Sequence, residues 1–315
     1  MNSRIKTENR HFDMLMTAFG EQIIGLLEDP DVIEIIVNAD GKLWTESLTK
    51  GKYFTHIILP AAQTANAIKL VAASQQMVAD YEHPEVSCEL PKNGARFQGW
   101  LPPVVDAPTF TIRKRAIRIF TLEDYIDAGS MSLAQAELLK QAVHMRKNIM
   151  IAGGTASGKT TFANALLHEL KDSTERMIVL EDLPELQIQV EDHVKLRTTP
   201  TKSMRDLVKG ILRMRPDRII IGEVRDGAAL ELLKAWNTGH PGGICTIHAN
   251  DAESTLSRLE DLVQEAVSVV PKRLIRQAIN IIVFMKRDEN GHYQIDSIHR
   301  YEKQSDGQYR LIPAM

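Results

Sequence analysis

Residues Gly153 to Thr160 read Gly-Gly-Thr-Ala-Ser-Gly-Lys-Thr. The spacing G-x-x-x-x-G-K-[ST] suits a loop whose backbone N–H groups converge on phosphate oxygens. Gly153, Gly154 and Gly158 let the chain bend tightly, Lys159 would reach the outer phosphates, and the Thr160 hydroxyl would hold Mg²⁺. Thr155, Ala156, Ser157 and Thr161 complete the stretch expected to bind nucleotide. The flanks fit this chemistry. Asn148 to Ala152 is a short apolar run that reads as a buried strand, and Phe162, Ala165, Leu166 and Leu170 follow at helical spacing. A helix starting at the loop adds its positive end to the phosphate site. ATP with Mg²⁺ is the expected ligand pair.

A phosphate site that does hydrolysis also needs a carboxylate to orient or deprotonate water, and cations to offset developing charge. Two strand ends offer carboxylates. Arg218 to Arg225 reads Arg-Ile-Ile-Ile-Gly-Glu-Val-Arg, an apolar strand finishing in Glu223, which could also hold Mg²⁺ through water. Met177 to Leu180 runs into Glu181-Asp182-Leu183-Pro184-Glu185, so Glu181 is a second candidate base. Helix capping or ordinary surface charge is the plainer role for either. His248 closes the stretch Ile244 to Ile247 and could contact or sense the γ-phosphate, although a lone strand-end histidine is more often structural. In the amino-terminal half, Thr109 to Arg115 alternates so that Phe110 and Ile112 share one face and Thr111, Arg113 and Arg115 the other. A solvated face is the ordinary account of that pattern.

The elements that must position these residues fall into two blocks. The first, Met1 to Arg115, reads as a small α+β domain: an amphipathic helix over His11 to Glu28, strands at Val32 to Val37, Lys42 to Glu46 and Tyr53 to Leu59, and a helix beginning at Pro60. Further strands are expected at Val86 to Leu90, Ala95 to Leu101 and Thr109 to Arg113. Residues 116–130 read as a linker with a short helix start, and 131–315 as the nucleotide-binding domain. There, after the helix Ser132 to Arg146, strands at Met177 to Leu180, Val194 to Leu196, Arg218 to Ile221 and Gly243 to Ile247 alternate with helices at Ser203 to Met214, Asp226 to Asn237 and Ala252 to Glu265. Alternation of this kind predicts a mainly parallel α/β sheet with ligands at the carboxyl ends of its strands.

Composition narrows the class. With 38 basic and 41 acidic residues the net charge is −3, which argues against a surface coated with nucleic acid. Aromatics at 5% are sparse for a base-stacking channel. Cys88 and Cys245 are far apart and lack metal-ligand spacing, so buried thiols in a reducing compartment are expected. The polar start, Met1 to Arg10, is not followed by a signal-peptide core, and no run of about 18 apolar residues suggests a membrane span.

The phosphate loop, Glu181-Asp182-x-x-Glu185, Gly222-Glu223-x-Arg225-Asp226, and Thr238-Gly-His-Pro-Gly-Gly followed by Thr246-Ile-His-Ala-Asn250 occur in that order. Together they resemble the secretion and pilus motor ATPases, and in detail the type IV secretion and conjugal-transfer branch of that family. The resemblance covers nearly the whole chain and implies a RecA-like carboxyl-terminal domain joined by a linker to a smaller amino-terminal one. It implies ATP between the two, a homohexameric ring, and peripheral attachment to inner-membrane secretion or conjugation proteins on the cytoplasmic side. Direct nucleic-acid binding is not indicated. Matched residue by residue, Lys159 and Thr160 are the phosphate and magnesium ligands, Glu181 and Glu185 the acidic box, Glu223 the Walker B glutamate, and His240 and His248 the histidine box. Arg96, Arg113 and, in an unfixed register, Arg115 match the arginines brought from the amino-terminal side. The two isolated cysteines exclude the four-cysteine zinc module common in type II secretion members. A helicase-like nucleic-acid motor is the alternative from the same core, and a nucleotide-dependent scaffold that never turns over is a third.

Overall fold

The computed structural model describes residues 2–47, 50–91, 94–114, 119–199, 201–288, 292–303 and 309–314. The chain divides into two compact units, Met1–Arg118 and Ile119–Met315.

The first unit holds helix α1 (Asn2–Glu28), strands β1 (Val32–Val37), β2 (Lys42–Ser47) and β3 (Gly51–Ile58), helix α2 (Ala61–Ser74), and strands β4 (Glu85–Glu89), β5 (Arg96–Trp100) and β6 (Thr109–Arg113). The strands form a 6-stranded sheet in the order β3-β2-β1-β6-β5-β4, antiparallel throughout. Period-2 alternation puts Ile35, Val37, Phe97, Phe110 and Ile112 on one face, where they pack against Leu15, Phe19 and Ile23 of α1 and Ile68 and Val71 of α2. The rings of Phe19, Phe97 and Phe110 meet at centroid separations of 5.3–6.4 Å. Helix α1 starts well before the expected His11 and breaks at Gly20, where φ is 78°. The Gln63 amide of α2 donates to the carbonyl oxygens of Ala18 and Phe19 beside that break.

The second unit opens with α3 (Leu122–Asp127) and α4 (Leu133–His144). Both begin in capping boxes, Thr121 with Asp124 and Ser132 with Gln135. Part of the expected linker is thus integral to this unit, because Leu122 and Tyr125 enter its core. There follow β7 (Ile149–Gly153), α5 (Lys159–His168), β8 (Met177–Glu181), β9 (His193–Arg197), α6 (Met204–Ile211), β10 (Arg218–Ile221), α7 (Ala228–Asn237), β11 (Ile244–His248), α8 (Ala252–Gln264) and α9 (Lys272–Ala278). Three more strands close the chain: β12 (Ile281–Arg287), β13 (Tyr293–Lys303) and β14 (Tyr309–Pro313). The 8-stranded sheet has the order β14-β13-β12-β7-β11-β10-β8-β9. From β12 to β9 every neighbouring pair is parallel, and β13 and β14 add an antiparallel edge.

Both faces of this sheet are covered, which is why residues 149–153, 177–180 and 219–221 are unbroken apolar runs. On one face, Met150, Ala152, Ile178, Ile219 and Ile247 pack against α6 to α9. On the other, Ile149, Ile151, Val179, Ile220 and Val283 pack against α3 to α5. Cys245 is buried in β11 and burial pushes its thiol pKa upward. Cys88 is half-buried rather than fully buried, its thiol pushed up to about 11 mainly by desolvation.

Candidate functional site

The phosphate loop leaves the carboxyl end of β7 and enters α5, so the expected strand, loop and helix are present in one piece. Glycine is required at two of its positions. A Cβ on Gly153 would lie 2.4 Å from the Met285 carbonyl oxygen and 2.5 Å from Ser157 Oγ. Gly158 caps α5 in the left-handed region, φ 87°, and a Cβ there would stand 2.8 Å from the Tyr293 ring. Gly158→Ala therefore meets both strain and a clash, and is expected to weaken nucleotide binding at least tenfold, read by titration with a fluorescent ATP analogue. Lys159 Nζ lies along the loop, donating to the carbonyl oxygens of Gly153 at 2.9 Å and Gly154 at 2.6 Å. Ser157 Oγ is buried and has no hydrogen-bond partner among the described residues. A buried orphan hydroxyl inside a glycine loop at a helix N-terminus fits a polyoxygen anion such as a triphosphate.

The acidic stretch after β8 is held against this loop. The Glu181 carboxylate is buried, and its Oε1 accepts the backbone N–H groups of Glu185 and Leu186, each at 2.7 Å. Desolvation raises its pKa, and the two N–H donors oppose the rise. Asn164 of α5, also buried, donates to the Glu185 carbonyl oxygen and accepts from Gln187 N. These bonds bring Glu185 Oε2 to 3.4 Å from Thr160 Oγ1. A hydroxyl beside a carboxylate is an oxygen donor set suited to Mg²⁺, which demands hard ligands and keeps several waters. The residues thus fit a magnesium nucleotide, with Glu185 nearer Thr160 than its sequence distance suggested.

Sheet order brings the other strand ends to the same edge. His248 is the register partner of Gly153, and its side chain is exposed. One strand further on, the chain beyond β10 is tied to β11: Thr246 Oγ1 donates to the Gly222 carbonyl oxygen and Val224 N donates to the Thr246 carbonyl oxygen. Val224 is buried, so Glu223 and Arg225 project from the opposite side. At about 4.8 Å per strand, β10 stands roughly 10 Å from the phosphate-loop strand, room for a phosphoryl group and a water.

Comparisons with known proteins give the family and the fold. The family model described as type II/IV secretion system protein matches residues 49–297. The conjugal transfer protein TrbB of Rhizobium radiobacter is 45% identical over 299 residues, covering 94% of this chain and 92% of the relative. The chain belongs to the type II/IV secretion system protein family. VirB11 of Bartonella quintana, a type IV secretion system protein, is 31% identical, covering 95% of this chain and 96% of its own. The crystal structure of the Legionella pneumophila ATPase DotB superposes with a TM-score of 0.64 at 20% identity, covering 87% of this chain and 78% of that one, and supports the fold.

Within this family member the remaining expected residues are spread more widely. Arg96 and Arg113 lie in the first unit as direct cross-strand partners, with Glu89 opposite Arg96 and Glu34 opposite Arg113. They share the sheet face turned away from α1 and α2. Arg115 falls outside the described residues. His240 precedes β11 at the amino ends of the parallel strands, its Nδ1 2.9 Å from the Pro216 carbonyl oxygen. The length of β11 separates it from His248, so the two histidines of the motif serve opposite edges of the sheet. Asn164 is the site residue that motif reading missed, while Ser157 and Glu185 stand in stretches it had named. A buried asparagine on the apolar side of a helix was the signal for the first.

Proposed function

We propose that this protein is the ATP-hydrolysing traffic ATPase of a conjugal-transfer or type IV secretion apparatus, working as a homohexameric ring held peripherally at the cytoplasmic face of the inner membrane. The observation that carries it is the phosphate loop with Thr160 beside Glu185, and Glu223 and His248 at the same sheet edge. Similarity to TrbB and VirB11 supports the apparatus and the ring. No helix among the described residues is long and apolar enough to cross a membrane.

In this reading the phosphate loop and the α5 N-terminus bind the triphosphate, and Lys159 leaves its loop carbonyls for the outer phosphates. Thr160, with Glu185 or Glu223, would hold Mg²⁺, which when bound would supply positive charge to offset that of the phosphates. Glu223 is the base that orients and deprotonates water. Glu181 is a support for the acidic loop, since its Oε1 is engaged by two backbone donors. His248, exposed at the same sheet edge, would contact or sense the γ-phosphate, and Arg96 and Arg113 would be the cations brought from the amino-terminal side.

Steady-state ATP hydrolysis against protein concentration, with and without single-stranded DNA, tests the proposal. Turnover that rises cooperatively with concentration and ignores DNA is the expected result. Hydrolysis that requires DNA, and is lost as salt rises, would move the protein to a nucleic-acid translocase.

A further inference from the structure

Arg225 stands between the carboxylates of Glu223 and Asp182. Its Nη2 donates to Glu223 Oε2 at 2.8 Å, and its Nη1 lies 3.9 Å from Asp182 Oδ2. Asp182 is itself fixed, accepting from Thr198 Oγ1 at 2.9 Å. Glu185 is near enough to contribute to the same field, which with the Glu223 hydrogen bond holds the guanidinium firmly charged. The backbone explains the pairing. Val224 between them is buried while the Glu223 and Arg225 side chains meet outside it, and Thr246 pins the segment from β11. The guanidinium therefore bridges the end of β10, which carries Glu223, to the start of the acidic loop that delivers Glu185 to Thr160.

That placement has a physical consequence. A glutamate side chain has several rotatable bonds, and this one, 27% exposed, can take more than one rotamer unless something holds it. A charge-assisted hydrogen bond to one oxygen restricts the rotamer and leaves the other oxygen for water. We infer that Arg225 is a positioning residue for hydrolysis, holding the Glu223 carboxylate in its working orientation and tying it to the Asp182–Glu185 loop. The inference rests on Glu223 being the base.

The test compares kcat and KM for ATP in the full-length wild-type protein, Arg225→Gln, Arg225→Lys, Glu223→Gln and the double variant Glu223→Gln with Arg225→Gln. Binding of a fluorescent ATP analogue and thermal melting are followed in parallel. A fall in kcat on the order of tenfold in Arg225→Gln is expected, from loss of part of the factor a positioned base supplies, with KM and analogue affinity within about twofold. Arg225→Lys, which keeps the charge, should recover part of the loss. The double variant should be no slower than Glu223→Gln alone, because a group that acts through Glu223 has nothing left to position. Wild-type kcat in Arg225→Gln, or a change confined to KM, overturns the inference while leaving Glu223 as the base. Wild-type turnover in Glu223→Gln is a separate result, and removes the base assignment together with the inference built on it.

Discussion

Glu223→Gln is expected to lower kcat by roughly 10²- to 10⁴-fold, the range a positioned general base contributes, while nucleotide still binds with an affinity within a few-fold of wild type. The substitution keeps the size and one acceptor oxygen for Arg225, and removes the negative charge together with the ability to take a proton. Lys159→Ala should fail at the earlier step. Lys159 Nζ reaches the loop carbonyls of Gly153 and Gly154, so it is placed to transfer to phosphate oxygens, and its loss should abolish productive binding as well as turnover. Glu181 separates the two candidate bases. Glutamine there retains an Oε1 that can accept from Glu185 N and Leu186 N, so Glu181→Gln should keep most activity. Alanine leaves two backbone donors without an acceptor, at about 1–3 kcal/mol each, and should loosen Glu185 from Thr160. Steady-state kinetics and analogue titration on the four variants decide the assignment. Normal turnover in Glu223→Gln with none in Glu181→Gln would make Glu181 the base.

The part of this site that was legible in the sequence is the part written locally. The phosphate loop carries its own strand and helix as neighbours in the chain, and the apolar runs ending in Glu181, Glu223 and His248 needed only the rule that parallel strands present their carboxyl ends together. Alternation across Thr109 to Arg113 likewise put Phe110 and Ile112 inside and Arg113 outside, as observed. What was not legible depends on pairing between distant segments. The alternating pattern was followed only as far as Glu265, yet β12 lies directly beside the phosphate-loop strand, and Met285 in it supplies the carbonyl that makes Gly153 obligatory. Strand β13 brings Tyr293 onto Gly158. Asn148 is the clearest case. Before the loop strand it looks like an ordinary polar boundary residue, but it is buried, accepts from Gly242 N and Gly243 N, and donates to the Ala278 carbonyl oxygen. One amide thereby fixes where β11 and α9 meet the strand that carries the phosphate loop. Nothing in a local window shows a hydrogen bond that spans 130 residues.

Arg218→Met is expected to destabilise the protein by about 3 kcal/mol, near the lower end of what breaking one side of a buried ion pair costs, without changing kcat of the folded enzyme. Arg218 opens β10, where a charged residue reads as ordinary strand-end polarity, yet its side chain is only 2% exposed. Its Nε donates to Glu175 Oε2, and its Nη1 donates to the carbonyl oxygens of Val143 at 2.9 Å and Gly242 at 3.2 Å. Glu175 also pairs with Arg146, 3.2 Å away, whose other nitrogen donates to the Asp217 carbonyl oxygen. The cluster thus joins the last turn of α4 to the starts of β8, β10 and β11. Burial lowers the Arg218 pKa, and the Glu175 hydrogen bond and charge pull it back. Methionine fills much of the volume but leaves Val143 and Gly242 without that donor. For a unit of this size each kcal/mol shifts Tm by about 2–4 °C, so thermal melting should fall by roughly 6–12 °C. Gly242 lies in the same cluster for a steric reason: φ there is 84°, and a Cβ would stand 2.7 Å from Arg218 Nη1. Gly242→Ala should therefore also destabilise, and the pair should combine to less than the sum of the two, since both act on one guanidinium. The Thr238–Gly243 stretch then has a structural task at the edge opposite the phosphate loop. A Tm change under about 2 °C for Arg218→Met, or a kcat loss in protein that remains folded, would place the cluster's role elsewhere.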